Sequence, residues 1–464
     1  MNRTLKKRGS PKSGAIVLAF LFGAFLTLTG QSARAQTRLT LTEAVQQALV
    51  NNHELKAQRN AHAARQAEVG IARSHLLPKV SLEERFLRTV NPTYAFMTKL
   101  NQERIELPDF SPDSLNRPAA ISDFQTTLSV EQPLFVRKAT IGVEMSQREA
   151  DASQEALHRK REEIAFKVVQ SYLTVRTAAE YVSVTERGLA DAREHQRLAD
   201  LRYAEGVGLH SDTLRAATAV AEARQRVVSA GKNHRLAKRT LGLLIGSARA
   251  IEVSDQAPLL PVREIDDLRR ESLRRRDLKA LELRRDNAVS NTRLADAGYF
   301  PSLGLGGTYQ FNDHNAPLGR EGDSWQVMAF LRWELFDGTK RNHEKAKAMH
   351  QVSEAEEYLA GMKKMVSFQV DEAWLSLEEA KVNRDVAREA VKTAEEGRRL
   401  VKVRYEGSLA PLVDLLDAQL SFDHARATLV ARENEYTLAL ASLAYASGTI
   451  LEDLQLEQPK EKAQ

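Results

Sequence analysis

Cysteine is absent from the 464 residues. Disulfides, thiolate metal sites and a lipid-modified N-terminal cysteine are thereby excluded. Aromatic residues make up only 6%, a lean supply for several aromatic-rich cores but suited to long helices with alanine-rich seams. Beyond residue 35 no run of about 18 apolar residues occurs, so no membrane-crossing helix is expected there. Any bilayer segment of that part must enter as β-strands. Catalytic signatures are missing too. Gly304-x-Gly306 lacks the third glycine and following helix of a dinucleotide loop, and there is no phosphate-binding Gly-x-x-x-x-Gly-Lys-Ser/Thr run. Neither His-Glu-x-x-His nor a serine elbow occurs. The 11 histidines are scattered, and His343 and His350, seven apart on a charged stretch, read as solvated. No cofactor, metal site or enzymatic activity is expected.

What is present begins with a basic segment, Arg3 to Lys12, followed by the small and apolar stretch Ala15–Leu28 and by Ala33-Arg34-Ala35. This is the pattern of a cleaved secretory signal peptide. Residues 1–35 hold six basic residues and no acidic one, leaving 61 Lys+Arg against 62 Asp+Glu in the remainder. The basic isoelectric point therefore belongs to the leader, and binding to nucleic acid loses its electrostatic support.

The remainder is duplicated. His53–Ala57 resembles Arg276–Ala280, and Leu77-Pro78 meets Phe300-Pro301, at an offset of 223. Leu134-Phe135 meets Leu335-Phe336 at 201; Arg202-Tyr203 meets Arg404-Tyr405, and Gly246 meets Gly448, at 202. One insertion in the first copy, within 87–123, accounts for the drop. The expected organisation is a signal peptide at 1–35, a first repeat at 36–257, a linker with Pro258 and Pro261 at 258–263, a second repeat at 264–449 and a tail at 450–464.

Each copy reads as helix, strand, strand, long helix, turn, returning helix. Residues 41–75 and 264–298 show helical spacing and stop before Pro78 and Pro301. Strict alternation marks strands at 301–311 and from Trp325 through Leu335, with Phe124 to Val130 their counterpart in the first copy. A strand near 79–88 is weakest, because Glu84 falls on the apolar side. Residues 138–205 and 339–406 contain no proline and predict helices of roughly 100 Å. Breaks at Gly206–Ser211 and Gly407–Pro411 precede the returning helices. Seams run through Val175, Ala178, Val182, Thr185, Leu189, Ala192, Gln196 and Ala199, and through Ala387, Ala390, Ala394, Gly397 and Val401, at spacings that imply side-by-side packing.

Trp325 and Trp333, eight residues apart on one expected strand face, lie about 26 Å apart, close to the ~25 Å apolar band of an outer-membrane barrel. With Phe124, Tyr309 and Phe311 they form the expected membrane-interface aromatics. About four strands per chain cannot close a barrel of ~8 or more, and open edges are not tolerated in lipid. Protomers must share a barrel; two, three or four chains fit.

The Leu335–Arg341 run, Leu-Phe-Asp-Gly-x-Lys-Arg, and the run Arg404-Tyr405-Glu406-Gly407 with Asp414-Leu415-Leu416-Asp417-Ala418-Gln419, resemble motifs of the TolC outer-membrane efflux family. The resemblance spans nearly the whole chain after the leader. In the first copy Gln132–Phe135 fits, while Val136-Arg137 replaces Asp-Gly. The resemblance implies a mainly α fold with a membrane β-barrel: a homotrimer with a shared 12-stranded barrel continuing into a periplasmic α-helical barrel. It implies a passive export channel in the outer-membrane lipid, partnered by a periplasmic adaptor and an inner-membrane efflux pump or secretion ATPase. It also places aspartates matching Asp414 and Asp417 at the periplasmic entrance. Asp212 and Arg215 are their first-copy counterparts, and Arg215 is expected to pair with Asp414 or Asp417 on an adjacent hairpin. Tyr203 and Tyr405, just before the turns, are expected to pack or to bond across hairpins. A periplasmic coiled-coil scaffold or adaptor without a channel is the alternative function.

Overall fold

The structure is a computed structural model that describes residues 38–254 and 260–456. The expected signal peptide, Pro258 and the last eight residues of the expected tail lie outside them.

The first expected helix is two: α1, Leu41–Asn51, opened by a reciprocal Thr40–Glu43 cap, and α2, His53–Ser74. Asn52 breaks the run because its backbone turns extended and its side chain accepts from Leu55 N–H. Its amide also donates to the Leu244 carbonyl, 2.8 Å away. The second copy breaks at the matching residue. Arg275 separates α7, Ile265–Ser272, from α8, Arg276–Asp296. The Arg275 guanidinium, 3% exposed, donates to Asp277, Gln369 and the Ala446 carbonyl. Both breaks exchange local helix bonds for ties to distant segments.

Four strands follow the helices of the two copies: β1, Lys79–Thr89; β2, Ile121–Phe135; β3, Ser302–Asp313; β4, Gly322–Arg332. They form one antiparallel sheet in sequence order. Residues 90–120 connect β1 to β2 and carry α3, Pro92–Asn101, and α4, Pro112–Asn116, whereas 314–321 suffice between β3 and β4. The insertion is this connection. Glu84 is accommodated in its strand because the Thr126 hydroxyl opposite donates to it at 2.5 Å.

The long helices are α5, Arg137–Ala204, and α9, Lys340–Glu406; the returning ones are α6, His210–Leu244, and α10, Leu412–Ser447. They pack side by side in the order α9, α10, α5, α6. Alanines at 216, 223, 230 and 237 are all buried on α6, a seven-residue repeat of small side chains that lets the helices approach closely. The main core lies midway along α5, where Ile164, Val168, Val169 and Val175 meet α1, the middle of α9 and the end of α10. Tyr172 anchors it, its hydroxyl donating to the carbonyls of Leu39 and Ser254.

Two expectations need correction. The β4 alternation does not reach Leu335: the strand ends at Arg332, and Trp333 lies beyond it, its indole donating to the Tyr299 carbonyl at 3.2 Å. The Leu-Phe-Asp-Gly-x-Lys-Arg run is the turn into α9, not a strand end. Arg341 pairs with Asp337 at 2.9 Å and bonds the carbonyls of Gly298 and Leu335, while Gly338 and Thr339 take left-handed backbone. The α5 seam also shifts. Gly188 and His195 are buried where Leu189 and Gln196 were expected. A side chain at Gly188 would meet Asp423 of α10 at 2.8 Å, so glycine draws α10 onto that line. In the second copy Ala387 is buried, but Ala390 and Gly397 stay exposed in the single chain.

Candidate functional site

Two regions concentrate the expected functional residues: the sheet faces and the turns joining the paired helices. On the sheet, pairing register places Val80, Val130, Gly307 and Val327 in one row and Leu82, Leu128, Tyr309 and Trp325 in the next. The same face continues through Leu305 with Ala329 and Leu303 with Leu331. Trp325 is 71% and Val327 73% exposed. The opposite face holds the rows Ser81, Ser129, Thr308, Gln326 and Glu83, Thr127, Gln310, Ser324. One face is apolar and solvent-exposed in the single chain; the other is polar over these rows, with Met328 and Phe330 lying over Gly306 and Gly304 nearer the long helices.

Aromatics gather at both ends of the apolar face. Away from the long helices, Phe86 lies 4.8 Å from Phe124 and Tyr309 lies 4.9 Å from Phe311, ring centre to ring centre, with Trp325 opposite Tyr309. Near the long helices are Phe135, Tyr299, Phe300, Trp333 and Phe336, where Arg137 covers the Phe300 ring and Arg341 the Tyr299 ring. Of the five aromatics expected from sequence, Phe124, Tyr309, Phe311 and Trp325 lie at the first end and Trp333 at the second. Phe86 and the rest of the second group were missed, although Leu-Phe and Phe-Pro at the strand and helix ends could have signalled them.

At the β3–β4 turn the ligating atoms of Asp313, His314 and Glu321 lie within 4.8 Å of one another. Asp313 accepts from the amides of Asn315 and Ala316, and Glu321 from that of His314. The carboxylates thus hold the hairpin together. The arginines at 269, 270, 274, 275 and 276 all have acidic partners and belong to the faces of α7 and α8 or to the turn between them.

The two helix turns have the same backbone. Gly206 N–H donates to the Tyr203 carbonyl and Val207 N–H to that of Arg202; Ser408 and Leu409 do the same to Tyr405 and Arg404. The residue requiring left-handed backbone is Gly206 in one turn and Ser408 in the other, although the sequence places Gly407 one position earlier. Left-handed backbone costs a non-glycine residue about 1–2 kcal/mol.

Ser408 is engaged across the hairpins. From the end of α5, Arg202 donates Nη1 to the Tyr405 carbonyl at 2.6 Å and Nη2 to the Ser408 hydroxyl at 2.9 Å. Its guanidinium also covers the Tyr405 ring at 4.8 Å. Tyr405, 3% exposed, sits among Ala199, Ala216, Leu412 and Leu415, and burial pushes its phenol pKa up. Arg202 was not among the expected site residues. Asp414 and Asp417 are exposed at the start of α10, Asp212 is half-buried at the start of α6, and Tyr203 is 49% exposed beside His210. Arg215 and Asp417 line one cavity of about 430 Å³ between α6 and α10, over α5. Among the described residues Arg215 forms no ion pair within the chain.

Above these turns a polar seam joins the hairpins. The Gln419 amide donates to Asp191 and Asp423, and its carbonyl accepts from Arg398. His195 lies beside them, 4% exposed, with neither ring nitrogen hydrogen-bonded. Burial lowers the His195 pKa and raises that of Asp423.

A family model described as outer membrane efflux protein matches residues 44–247 and 268–449. The alkaline protease secretion protein AprF of Pseudomonas aeruginosa is 25% identical over 52% of this chain, which spans 47% of that protein's length. The outer membrane protein OprJ of the same species is 24% identical over 72% of the chain and 71% of its own length. The outer membrane efflux protein BepC of Brucella suis is 21% identical over 96% and 93%. A crystal structure of a membrane protein from Pseudomonas aeruginosa has a TM-score of 0.75 at 23% identity, covering 88% of this chain and 93% of that one. The Vibrio cholerae outer membrane protein VceC has a TM-score of 0.72 at 17% identity, covering 88% and 96%.

Proposed function

The chain belongs to the outer membrane efflux protein family, and from that premise we propose that three copies form one passive export duct. The observation that carries this reading is that both lateral edges of the chain are unfinished in both layers. In the sheet, β1 and β4 each lack a neighbour on one side. In the helical layer α6 and α9 are the outer members of the row. Exposed apolar side chains mark both: Leu214, Val228, Leu236 and Leu243 on α6, and Tyr358, Met365, Leu375 and Val382 on α9. One head-to-tail contact, repeated, completes both layers, and such contacts form rings when the rotation closes. Three chains give twelve strands, with the apolar face toward lipid and the polar face lining the lumen.

The helix turns form the periplasmic entrance. Asp414 and Asp417, repeated three times, surround it with carboxylates attractive to cations, and Asp212 adds to them from α6. Arg202 ties the second hairpin to the first, burying Tyr405. Arg215, across one groove from Asp417, supplies a further cation during closure. An exposed pair of that kind contributes only ~0–1 kcal/mol, so Arg202 dominates the lock. The entrance docks on a periplasmic adaptor and an inner-membrane transporter, which supplies the energy; the cargo is small molecules, metal ions or polypeptides.

The test is electrophoresis of outer-membrane fractions with and without heating. A heat-dissociable trimer is expected. A soluble periplasmic monomer would instead support the scaffold reading.

A further inference from the structure

The two halves of the chain carry the same Arg-Tyr pair before the same turn but use opposite members of it. In the first copy Arg202 is engaged and Tyr203 is exposed; in the second Tyr405 is buried and Arg404 is exposed. Among the described residues Arg404 has no ion pair or side-chain hydrogen bond. Each half thus leaves exposed to solvent the group that the other half engages.

The order of the helices says where the unused groups meet. Within the chain, α10 of the second copy lies against α5 of the first, and Arg202 crosses that junction. Exchanging the copies turns this junction into one between α6 of one protomer and α9 of the next. Arg202 then becomes Arg404, and the Tyr405 turn becomes the Tyr203 turn. Resting on the trimer proposed above, we infer that Arg404 of one protomer clamps the Tyr203 turn of its neighbour, donating to the Tyr203 carbonyl and covering its ring. The partner is a second copy of this chain.

The acceptor turn is already shaped for this. Its internal hydrogen bonds repeat those of the Tyr405 turn, and Gly206 holds the left-handed backbone of Ser408. The interchain clamp is also weaker than the intrachain one. Gly206 offers no hydroxyl where Ser408 does, and His210 and Thr213 stand where Leu412 and Leu415 pack around Tyr405. A duct that opens at its tips would separate first at these three interchain junctions.

The cysteine-free sequence allows a direct test in the full chain. Tyr203→Cys with Arg404→Cys is treated with a short bismaleimide in outer membranes and compared with Arg202→Cys with Tyr405→Cys, each first checked for trimers without heating. After denaturation, the 203/404 pair is expected to run at two and three times the monomer mass, and the 202/405 pair at monomer mass. If the 203/404 pair does not assemble, Glu205→Cys with Arg404→Cys, both exposed positions, replaces it. Trimers whose 203/404 or 205/404 thiols link only within a chain would overturn the inference. Absence of trimers from the wild type would instead overturn the assembly on which it rests.

Discussion

Replacing Arg202 by alanine removes two hydrogen bonds from a charged donor and its contact over Tyr405. Hydrogen bonds to charged groups contribute ~1.5–3 kcal/mol each when well shielded, and an exposed cation–π contact adds ~0.5–1 kcal/mol. Arg202 is half-buried and Ser408 exposed, so a net loss of ~1–2 kcal/mol per chain is the reasonable scale. Three copies opening together lose ~3–6 kcal/mol, or two to four orders of magnitude in the closed-to-open ratio at ~1.4 kcal/mol per tenfold. Purified trimers in planar bilayers should pass current far more often than wild type, and cells should become permeable to a bulky antibiotic. Two controls sharpen the assignment. Tyr405→Phe should be nearly silent, because Arg202 uses the carbonyl and the ring. Ser408→Gly should fall between, since losing the hydroxyl acceptor is partly offset by relief of ~1–2 kcal/mol of left-handed strain. Wild-type conductance and permeability in Arg202→Ala would refute the lock.

Other outcomes follow from the same geometry. Val327→Arg, on the apolar face, should cost ~2–4 kcal/mol near the bilayer midplane and reduce outer-membrane trimers, whereas Gln326→Arg on the polar face should assemble normally; equal yields would contradict the assignment of faces. Burial holds the His195 pKa below its ordinary value, so the fold disfavours the charged ring. Stability should therefore fall as pH drops through the ordinary histidine range near ~6.5, and His195→Gln should remove the part of the fall in melting temperature between pH 7.5 and 5.5 that exceeds other titrations. Asp423, raised by burial, has the opposite sign and acts lower, losing its contribution as pH rises from the ordinary aspartate value through the raised one. Arg275→Ala leaves Asp277 without its nearest cation and Gln369 and the Ala446 carbonyl without a donor. Breaking such a buried pair costs ~3–5 kcal/mol, and a lowered melting temperature with poor trimer yield is expected.

The long helices were legible because proline is absent and glycine rare within 138–205 and 339–406, and the duplication tied each half to the other. Contacts across hairpins were less legible. Arg202 looks like any other solvated helix arginine until the second turn lies beside it, and the left-handed Ser408 is disguised by the glycine just before it. Asn52 and Arg275 interrupt helices whose apolar spacing continues on either side, because distant carbonyls reward the break. The sequence predicts a strand through Trp333 for a related reason: Trp333 and Leu335 continue the period-two pattern through a turn that Asp337 and Arg341 enforce. Tandem comparison could have revealed the paired breaks at 52 and 275. No local pattern marks Gly188 as the close approach of α10.

The duplication also constrains how the entrance works. In the proposed trimer, two tandem copies in three chains give six hairpin junctions, three within chains and three between them. Were the copies identical, the six would be equivalent and would open together. Sequence divergence separates them: Ser408, Leu412 and Leu415 fortify the intrachain junction, while Gly206, His210 and Thr213 leave the interchain one with fewer acceptors and a more polar surround. Chain connectivity adds to the difference, because hairpins of one chain remain joined through β2, β3 and the central core. In that trimer the interchain junctions part first, and full opening of the entrance also parts the three junctions that Arg202 holds. Swapping the determinants tests this directly. Gly206→Ser restores a hydroxyl at the interchain turn at a backbone cost of ~1–2 kcal/mol, so the single change should be close to neutral. Adding Ser408→Gly removes the hydroxyl acceptor from the intrachain junction and narrows the difference between the two, so a 202/405 thiol link should hold the entrance closed more strongly in the double variant than in wild type. If the 202/405 link acts equally in the double variant and the wild type, the distinction between the junctions does not lie in these residues.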